Sequence, residues 1–339
     1  MKYKTLPLLF SLLLIITSGL QAQGLKINKS KSSTVFNGNQ KDYLIGNIQD
    51  VKHHNQTVYL IDEAAPKVLI LSKKGKLIQQ IGRAGKGPGE YLSPVSIDIF
   101  DTGDLVLLDQ NLGRVTQYFY NNESKKWEVK KSGAHNMNMS NLCVSDGNVW
   151  VHARKENNVI HRLSDDLKSK SYSIGGGYDS DDIVTREISQ NGVLACKGQN
   201  IYTGFTTDNI IRVYNKNTGN LLKKIEIKEA IPIEISKISR NGGVGFARKY
   251  YPGEAYNDKG DYHDGLENIA AIDNQLLVQY KRFFSESDQQ SIISFSVDLS
   301  DGTYKISKNL PLIFDHVKGQ IIYGANYPTP HVKINGVNN

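Results

Sequence analysis

Apolar residues along this chain come in short bursts bounded by turn residues. Tyr59-Leu60-Ile61-Asp62 is followed by Glu63-Ala64-Ala65-Pro66-Lys67 and then by Val68-Leu69-Ile70-Leu71. Val106-Leu107-Leu108-Asp109 is followed by Gln110-Asn111-Leu112-Gly113-Arg114 and then by Val115-Thr116-Gln117-Tyr118. Both read as one unit: a strand ending in Asp, four residues, a base, another strand. The two Asp residues lie 47 positions apart. Weaker copies begin at Val149, Ile201, Leu276 and Ile321, at intervals of 44 (from Leu105), 52, 75 and 45 residues. Four-stranded propeller blades repeat at about 40 to 50 residues. The single long interval marks an insertion, about 228–265. No helical period competes with this pattern; the best helical stretch lies within the insertion and is weak.

In the first unit the strands are expected at Ile48 to His53, Thr57 to Asp62, Lys67 to Ser72 and Lys76 to Ile81, called A to D from the inside out. They are rich in β-branched and aromatic residues. The turns between A and B, such as Ser145-Asp146-Gly147-Asn148, and between C and D, such as Ser72-Lys73-Lys74-Gly75, carry the Gly and Asn that tight hairpins require. The last unit runs out after its C strand, near His331 to Asn335, so Ser33 to Phe36 is expected to supply the missing D strand from the other end of the chain. That closure removes two exposed sheet edges. The reading is all-β: a six-bladed β-propeller of four-stranded antiparallel blades, closed by an N-terminal strand.

Antiparallel succession puts the A–B and C–D turns on one face and the B–C and D–A connections on the other. The long connections, 82–94, 174–191, 228–265 and the B–C loop 281–289, are all of the second kind. Binding groups concentrate on such loops, so this face is the candidate site. The sharpest motif there is Gly82-Arg83-Ala84-Gly85-Lys86-Gly87-Pro88-Gly89-Glu90-Tyr91. It lacks the Gly-Lys-Ser/Thr ending and following helix of a phosphate loop. With Leu60-Ile61-Asp62 before it and Leu107-Leu108-Asp109 after it, the stretch resembles a six-bladed propeller family of bacteroidete bacteria. That family is related to NHL-repeat propellers and is often labelled TolB-like or of unknown function. The resemblance implies the fold and a cell-envelope setting and no particular reaction. Many members are lipoproteins; this chain departs from them in having no lipid-accepting cysteine.

Lys2 and Lys4, the apolar run from Leu6 to Ile16, and the small-residue stretch ending at Ala22 form a secretory signal, residues 1–22. The run is short of the about 20 residues that span a membrane. The remainder, 23–339, is expected to be one propeller domain, periplasmic or secreted and monomeric. Removing Lys2 and Lys4 lowers the net charge from +7 to +5, with basic residues scattered, which argues against a nucleic-acid partner. Cys143 and Cys196 are read as two buried thiols on separate strands, with a disulfide as the alternative.

The insertion carries Phe246-Ala247-Arg248-Lys249-Tyr250-Tyr251-Pro252-Gly253-Glu254-Ala255-Tyr256 and then Asp261-Tyr262-His263-Asp264; Phe283 and Phe284 belong to the same face. Aromatic planes with polar tips suit sugars, peptides and protein partners, or form a lid with its own small core. The ligand-binding candidates are Arg83, Lys86, Glu90, Tyr91, Arg248, Tyr250, Tyr251, Tyr256, Tyr262, His263, Phe283 and Phe284. The Asp62/Lys67 and Asp109/Arg114 pairs are read as turn-organising. Asp50, Asp98 and Asp315, with Asn141, are the only inner-strand candidates for a channel Ca²⁺, and they lack the full oxygen set of about 6 to 8 ligands; no metal or cofactor is expected. No Gly-x-Ser-x-Gly elbow occurs. The reading is a non-catalytic binding or scaffolding propeller for a glycan, peptide or envelope protein. The alternative is a glycan- or lactone-active lyase or hydrolase built on His263, Tyr262 and Arg248.

Overall fold

The computed structural model describes residues 32–37, 40, 42–155, 157–181, 189, 191–240, 243–249, 262–284, 290–307, 310–317, 320–326 and 330–336. Residues 1–22, read above as a secretory signal, lie outside these. Every described element is a strand. After β1 (Ser33–Phe36), the first blade is β2 (Ile48–His54), β3 (Thr57–Asp62), β4 (Lys67–Ser72) and β5 (Leu77–Ile81). The second is β6 (Pro94–Ile99), β7 (Leu105–Asp109), β8 (Arg114–Asn121) and β9 (Lys126–Ala134). The third is β10 (Asn138–Ser145), β11 (Asn148–Lys155), β12 (Asn158–Leu163) and β13 (Lys170–Gly176). The fourth is β14 (Gly192–Lys197), β15 (Asn200–Phe205), β16 (Ile210–Asn215) and β17 (Leu221–Glu226). An additional hairpin follows, β18 (Glu234–Arg240) and β19 (Gly243–Lys249). The fifth blade is β20 (Tyr262–Ile272), β21 (Gln275–Phe284), β22 (Gln290–Asp298) and β23 (Tyr304–Ser307). The sixth is β24 (Leu312–Val317), β25 (Gln320–Ala325) and β26 (His331–Gly336).

Each blade is a four-stranded antiparallel sheet in chain order, and the sixth is completed by β1 on β26, Ser33 opposite Ile334. The expected closure by Ser33 to Phe36 is therefore the one observed. Val35 and Phe36 carry it, both fully buried in the cluster that joins the first and last blades. The inner strands β2, β6, β10, β14, β20 and β24 touch in succession and close the ring. Apolar clusters fill the junctions between neighbouring blades: Leu60 with Phe314, Tyr59 with Ile97, Val106 with Val151, Trp150 with Ile201, Ile211 with Phe295, and Leu277 with Ile313. Both faces of each sheet are thus covered, which is why β7 is buried at every position instead of alternating. The outer β5 does alternate, with exposed Ile78 and Gln80.

In the insertion β18 and β19 form an antiparallel pair, registered from Glu234 opposite Lys249 to Arg240 opposite Gly243, in keeping with the all-β reading. One expectation is corrected here. The two thiols are bonded: Cys143 and Cys196 form a disulfide between the inner strands of the third and fourth blades, Cα atoms 5.9 Å apart. Adjacent inner strands bring equivalent positions within disulfide reach, a spacing the sequence alone does not display.

Candidate functional site: the channel and its long-loop face

The glycine-rich connection between β5 and β6 is a closed structure in its own right. Tyr91 N–H donates to the Arg83 carbonyl (2.8 Å), Gly85 N–H to the Tyr91 carbonyl (3.0 Å), and Glu90 N–H to the Gly87 carbonyl (3.1 Å). The Glu90 carboxylate accepts from Arg83 Nε at 2.9 Å and from Gly87 N–H at 2.8 Å. Those donors, Gly87 N–H foremost and then Arg83, hold its pKa below the usual glutamate value. Arg114 on β8 reaches back to donate to the carbonyls of Lys86 and Glu90. The glycines answer to sterics: a Cβ at Gly82 (φ +83°) would stand 2.3 Å from the Tyr91 ring, and one at Gly85 (φ +151°) 2.1 Å from the Glu90 carboxylate.

Of the candidates in this loop, Arg83 and Lys86 are exposed and Glu90 is partly buried. Tyr91 is not presented to a ligand. It is 1% exposed, packed with Tyr59, Ile81 and Ile97, its hydroxyl bonded to that of Tyr118. Burial, followed by the neighbouring Tyr118, drives its pKa far above the usual tyrosine value. An aromatic ring was needed to close the loop over the first blade junction, and the ring is spent on that.

The acid at the end of strand B behaves as a loop anchor. Asp62 accepts from Gly46 N–H and Asn47 N–H (3.2 and 3.1 Å) and pairs with Lys67 at 3.5 Å. Asp109 accepts from Leu92, Ser93 and Leu112 N–H groups. Each thus ties the preceding D–A connection to its own blade. At the fourth blade an acid organises its own B–C loop, and at the fifth an acid again ties in the preceding connection. Asp208 pairs with Arg212 at 2.9 Å, whose guanidinium lies 4.7 Å over the Phe205 ring. Asp264, fully buried, holds Ile231 N–H and receives Arg282 through two bonds of 2.7 and 2.8 Å.

Beside this cluster β20 and β21 run to 11 and 10 residues, longer than the other inner pairs. Their register places Tyr262 opposite Phe284 and His263 opposite Phe283, so four candidates share one end of one strand pair. The B–C loop expected at 281–289 is shortened accordingly, because 281–284 belong to β21. Arg248 lies on β19 opposite Ile235. Tyr250, Tyr251 and Tyr256 fall outside the described residues.

The central channel holds a cavity of about 480 Å³. Its wall includes Asn191, Thr206 and Ile233, from the connections of the long-loop face, and Gly265 near the start of β20, so the cavity reaches that face beside the insertion. Deeper in, the inner strands contribute Asp50, Lys52, Asp98, Asn141, Glu267 and Asp315. Asp50 accepts from Val51 N–H (2.8 Å) and from Ile97 N–H of the next blade (3.0 Å). Asp98 does the same with Ile99 (2.9 Å) and Val144 (2.7 Å), and Asp315 with His316 (2.9 Å) and His53 (2.7 Å). Asn141 accepts from Leu194 N–H at 3.0 Å. These side chains stitch neighbouring inner strands together around the channel.

Burial raises Asp50 and Asp315 to about 6, although Lys52 and the backbone donors pull the other way. Asp98 is raised for the same reason. Burial alone would lower Lys52, but Asp50, Asp315 and Asp98 together outweigh it and raise the ammonium pKa. Sequence reasoning named the three carboxylates, and only as an incomplete Ca²⁺ set. Among the described residues, no group of three or more His, Cys, Asp or Glu is arranged to hold a metal. Lys52 was missed. It lies two positions after Asp50 and so on the same side of β2, a spacing that could have found it.

Comparison with known proteins reaches the fold. The profile of a family described as "6-bladed beta-propeller" matches residues 39–165. A search of curated proteins finds no match. Among solved structures, a protein from Bacteroides fragilis described as exported is 13% identical, with a TM-score of 0.58 over 93% of this chain and 97% of the other. The WD40 repeats of RRP9 are 12% identical, with a TM-score of 0.57 over 93% and 99%. A streptogramin B lyase is 10% identical, with a TM-score of 0.50 over 91% and 97%. No helix among the described residues is long and apolar enough to cross a membrane. These likenesses carry the propeller fold alone; with the match over residues 39–165 and the six closed blades, the chain is a six-bladed β-propeller.

Proposed function

We propose that this is an exported, non-catalytic binding propeller that takes a glycan, peptide or envelope protein at its long-loop face. One observation carries the reading: four arginines described on that face are spent on holding loops. Arg83 is bonded to Glu90, Arg114 to the carbonyls of its loop, Arg212 to Asp208 and Arg282 to Asp264. General acid–base chemistry needs titratable groups converging on one substrate atom. Groups locked in pairs over a polar cavity suit a rigid receptor better. The aromatic positions at the β20–β21 end extend the same face. Export accords with the leader-like N-terminus and with the exported Bacteroides fragilis neighbour.

A thermal-shift screen of the mature protein against oligosaccharides and peptides tests this. A ligand that binds the native state raises its melting temperature by mass action. The expected result is a shift with one ligand class, diminished in a Tyr250→Ala/Tyr251→Ala variant, with the ligand recovered chemically unchanged. Recovery of cleaved or eliminated products would overturn the non-catalytic reading and place a lyase or hydrolase at the channel mouth.

A further inference from the structure

The channel holds a cation that is not spent on holding a loop. Lys52 lies among Asp50, Asp98 and Asp315, yet no described residue forms a hydrogen bond or close ion pair with its Nζ. The three carboxylates are the reverse case. Both oxygens of each already hold a backbone N–H, which fixes their orientation. Every carboxylate oxygen nonetheless has a second lone pair, although that of Asp50 Oδ2 is shared with the Ser96 hydroxyl at 3.5 Å. On the same wall, Asn191 has a buried Oδ1 with no partner. The cavity therefore offers a three-donor ammonium and, within the same space, several rigid acceptors.

That combination selects against an anion, and a cation that enters must share the carboxylates with Lys52. An anion would face Asp50, Asp98, Asp315 and Glu267. A cation would face the ammonium of Lys52, which those same carboxylates keep protonated. A hydroxyl group suits both, since it accepts from the ammonium and donates to a carboxylate, and each such bond is charge-assisted. Adjacent hydroxyls can do both at once. The volume of about 480 Å³ falls within the range of small-molecule sites. We infer that the channel is the specificity site and takes a neutral polyhydroxylated ligand, a sugar residue of a glycan. Lys52 donates to one of its hydroxyls, and Asp50, Asp98 and Asp315 accept from others. The inference rests on the binding reading above and narrows it to one ligand class.

The test is calorimetric titration of the mature protein with neutral oligosaccharides (gluco-, manno- and xylo-configured), matched amino-sugar oligomers and matched uronate oligomers. The proteins are the wild type, Lys52→Met, Asp98→Asn and a Lys126→Ala control on the opposite face. A neutral sugar is expected to bind best. Lys52→Met and Asp98→Asn should each weaken it ten-fold or more, and Lys126→Ala should leave it unchanged. Should Lys52→Met not fold, Asp98→Asn decides, together with protection of Lys52 from reductive methylation by the bound sugar in the wild type. Tightest binding by an amino sugar or a uronate overturns the assignment of a neutral ligand. Unchanged affinity in both channel variants overturns the channel as the site. If peptides shift the melting temperature and no neutral sugar binds, the sugar class falls and the binding reading stands. If no class binds, both fall.

Discussion

At the scale of single residues, the glycine-rich loop shows how a motif that looks like chemistry can be architecture. Its glycines serve geometry that the sequence does not print. Gly82 has φ +83° and no room beside the buried Tyr91 ring, whereas Gly147, in the turn between β10 and β11, has φ +72° and open space around it. Gly147→Ala is expected to cost only the left-handed backbone strain, roughly 1 kcal/mol. Gly82→Ala adds a clash with a ring that cannot move and should cost about 3 kcal/mol or more. Denaturant melts of the two variants check the difference; equal costs would mean that Tyr91 does not pack as described. Arg83→Ala removes an exposed partner and should leave the melting temperature nearly unchanged. Tyr91 was legible as an aromatic in a binding loop, and its burial was not. Whether a loop aromatic faces inward depends on the neighbouring blade, which no local pattern reports.

At the scale of elements, the strands were largely readable and their side-chain directions were not. The expected strands of the first blade differ from the observed ones by a residue at most. Turn chemistry and apolar bursts are local, and both survive in the sequence. The inner strands, however, carry register shifts, between Ile48 and Asp50, Pro94 and Ser96, Met139 and Asn141, Leu266 and Asn268, and Ile313 and Asp315. A bulge breaks the period-2 alternation on which any assignment of facing depends. Hence Asp50 and Asp98 could be named from the sequence and not aimed, and the channel site stayed hidden. The disulfide was obscured for a related reason, although its 53-residue separation nearly matches the 52-residue interval between the third and fourth repeats. That coincidence of separation with repeat period was the available signal. Cross-linking a loop of this length is expected to stabilise the fold by about 4 kcal/mol in the chain-entropy picture. A Cys143→Ala/Cys196→Ala variant should accordingly unfold at clearly lower denaturant. An unchanged midpoint would mean that the link adds nothing to the closed ring.

At the scale of the whole molecule, the inner strands form a ring held by partly buried carboxylates that line the channel, and this gives the fold a particular response to pH. Asp50 and Asp315 titrate at about 6 in the folded chain, above the ordinary aspartate value of 3.8. Between these values the folded state holds protons that the unfolded chain has released. The contribution of these groups to stability is therefore complete below about pH 4 and is lost as the pH rises through 6. A shift of two units corresponds to at most about 3 kcal/mol for each group, and the total is smaller than the sum because Lys52 couples them. Surface carboxylates with lowered pKa, such as Asp166 and Asp301, act in the opposite sense at lower pH, so the wild-type melt alone would blend the two trends. The difference between wild type and Asp315→Asn separates them. Asn cannot ionise, and it keeps one oxygen to accept a backbone N–H, so whatever constant offset it introduces does not vary with pH. The variant should gain on the wild type as the pH is raised from 4 to 7 and hold that gain above 7. A difference that stays flat across this window would mean that Asp315 titrates in the ring as it does in water. A difference of the opposite slope would mean that Lys52 more than compensates its burial.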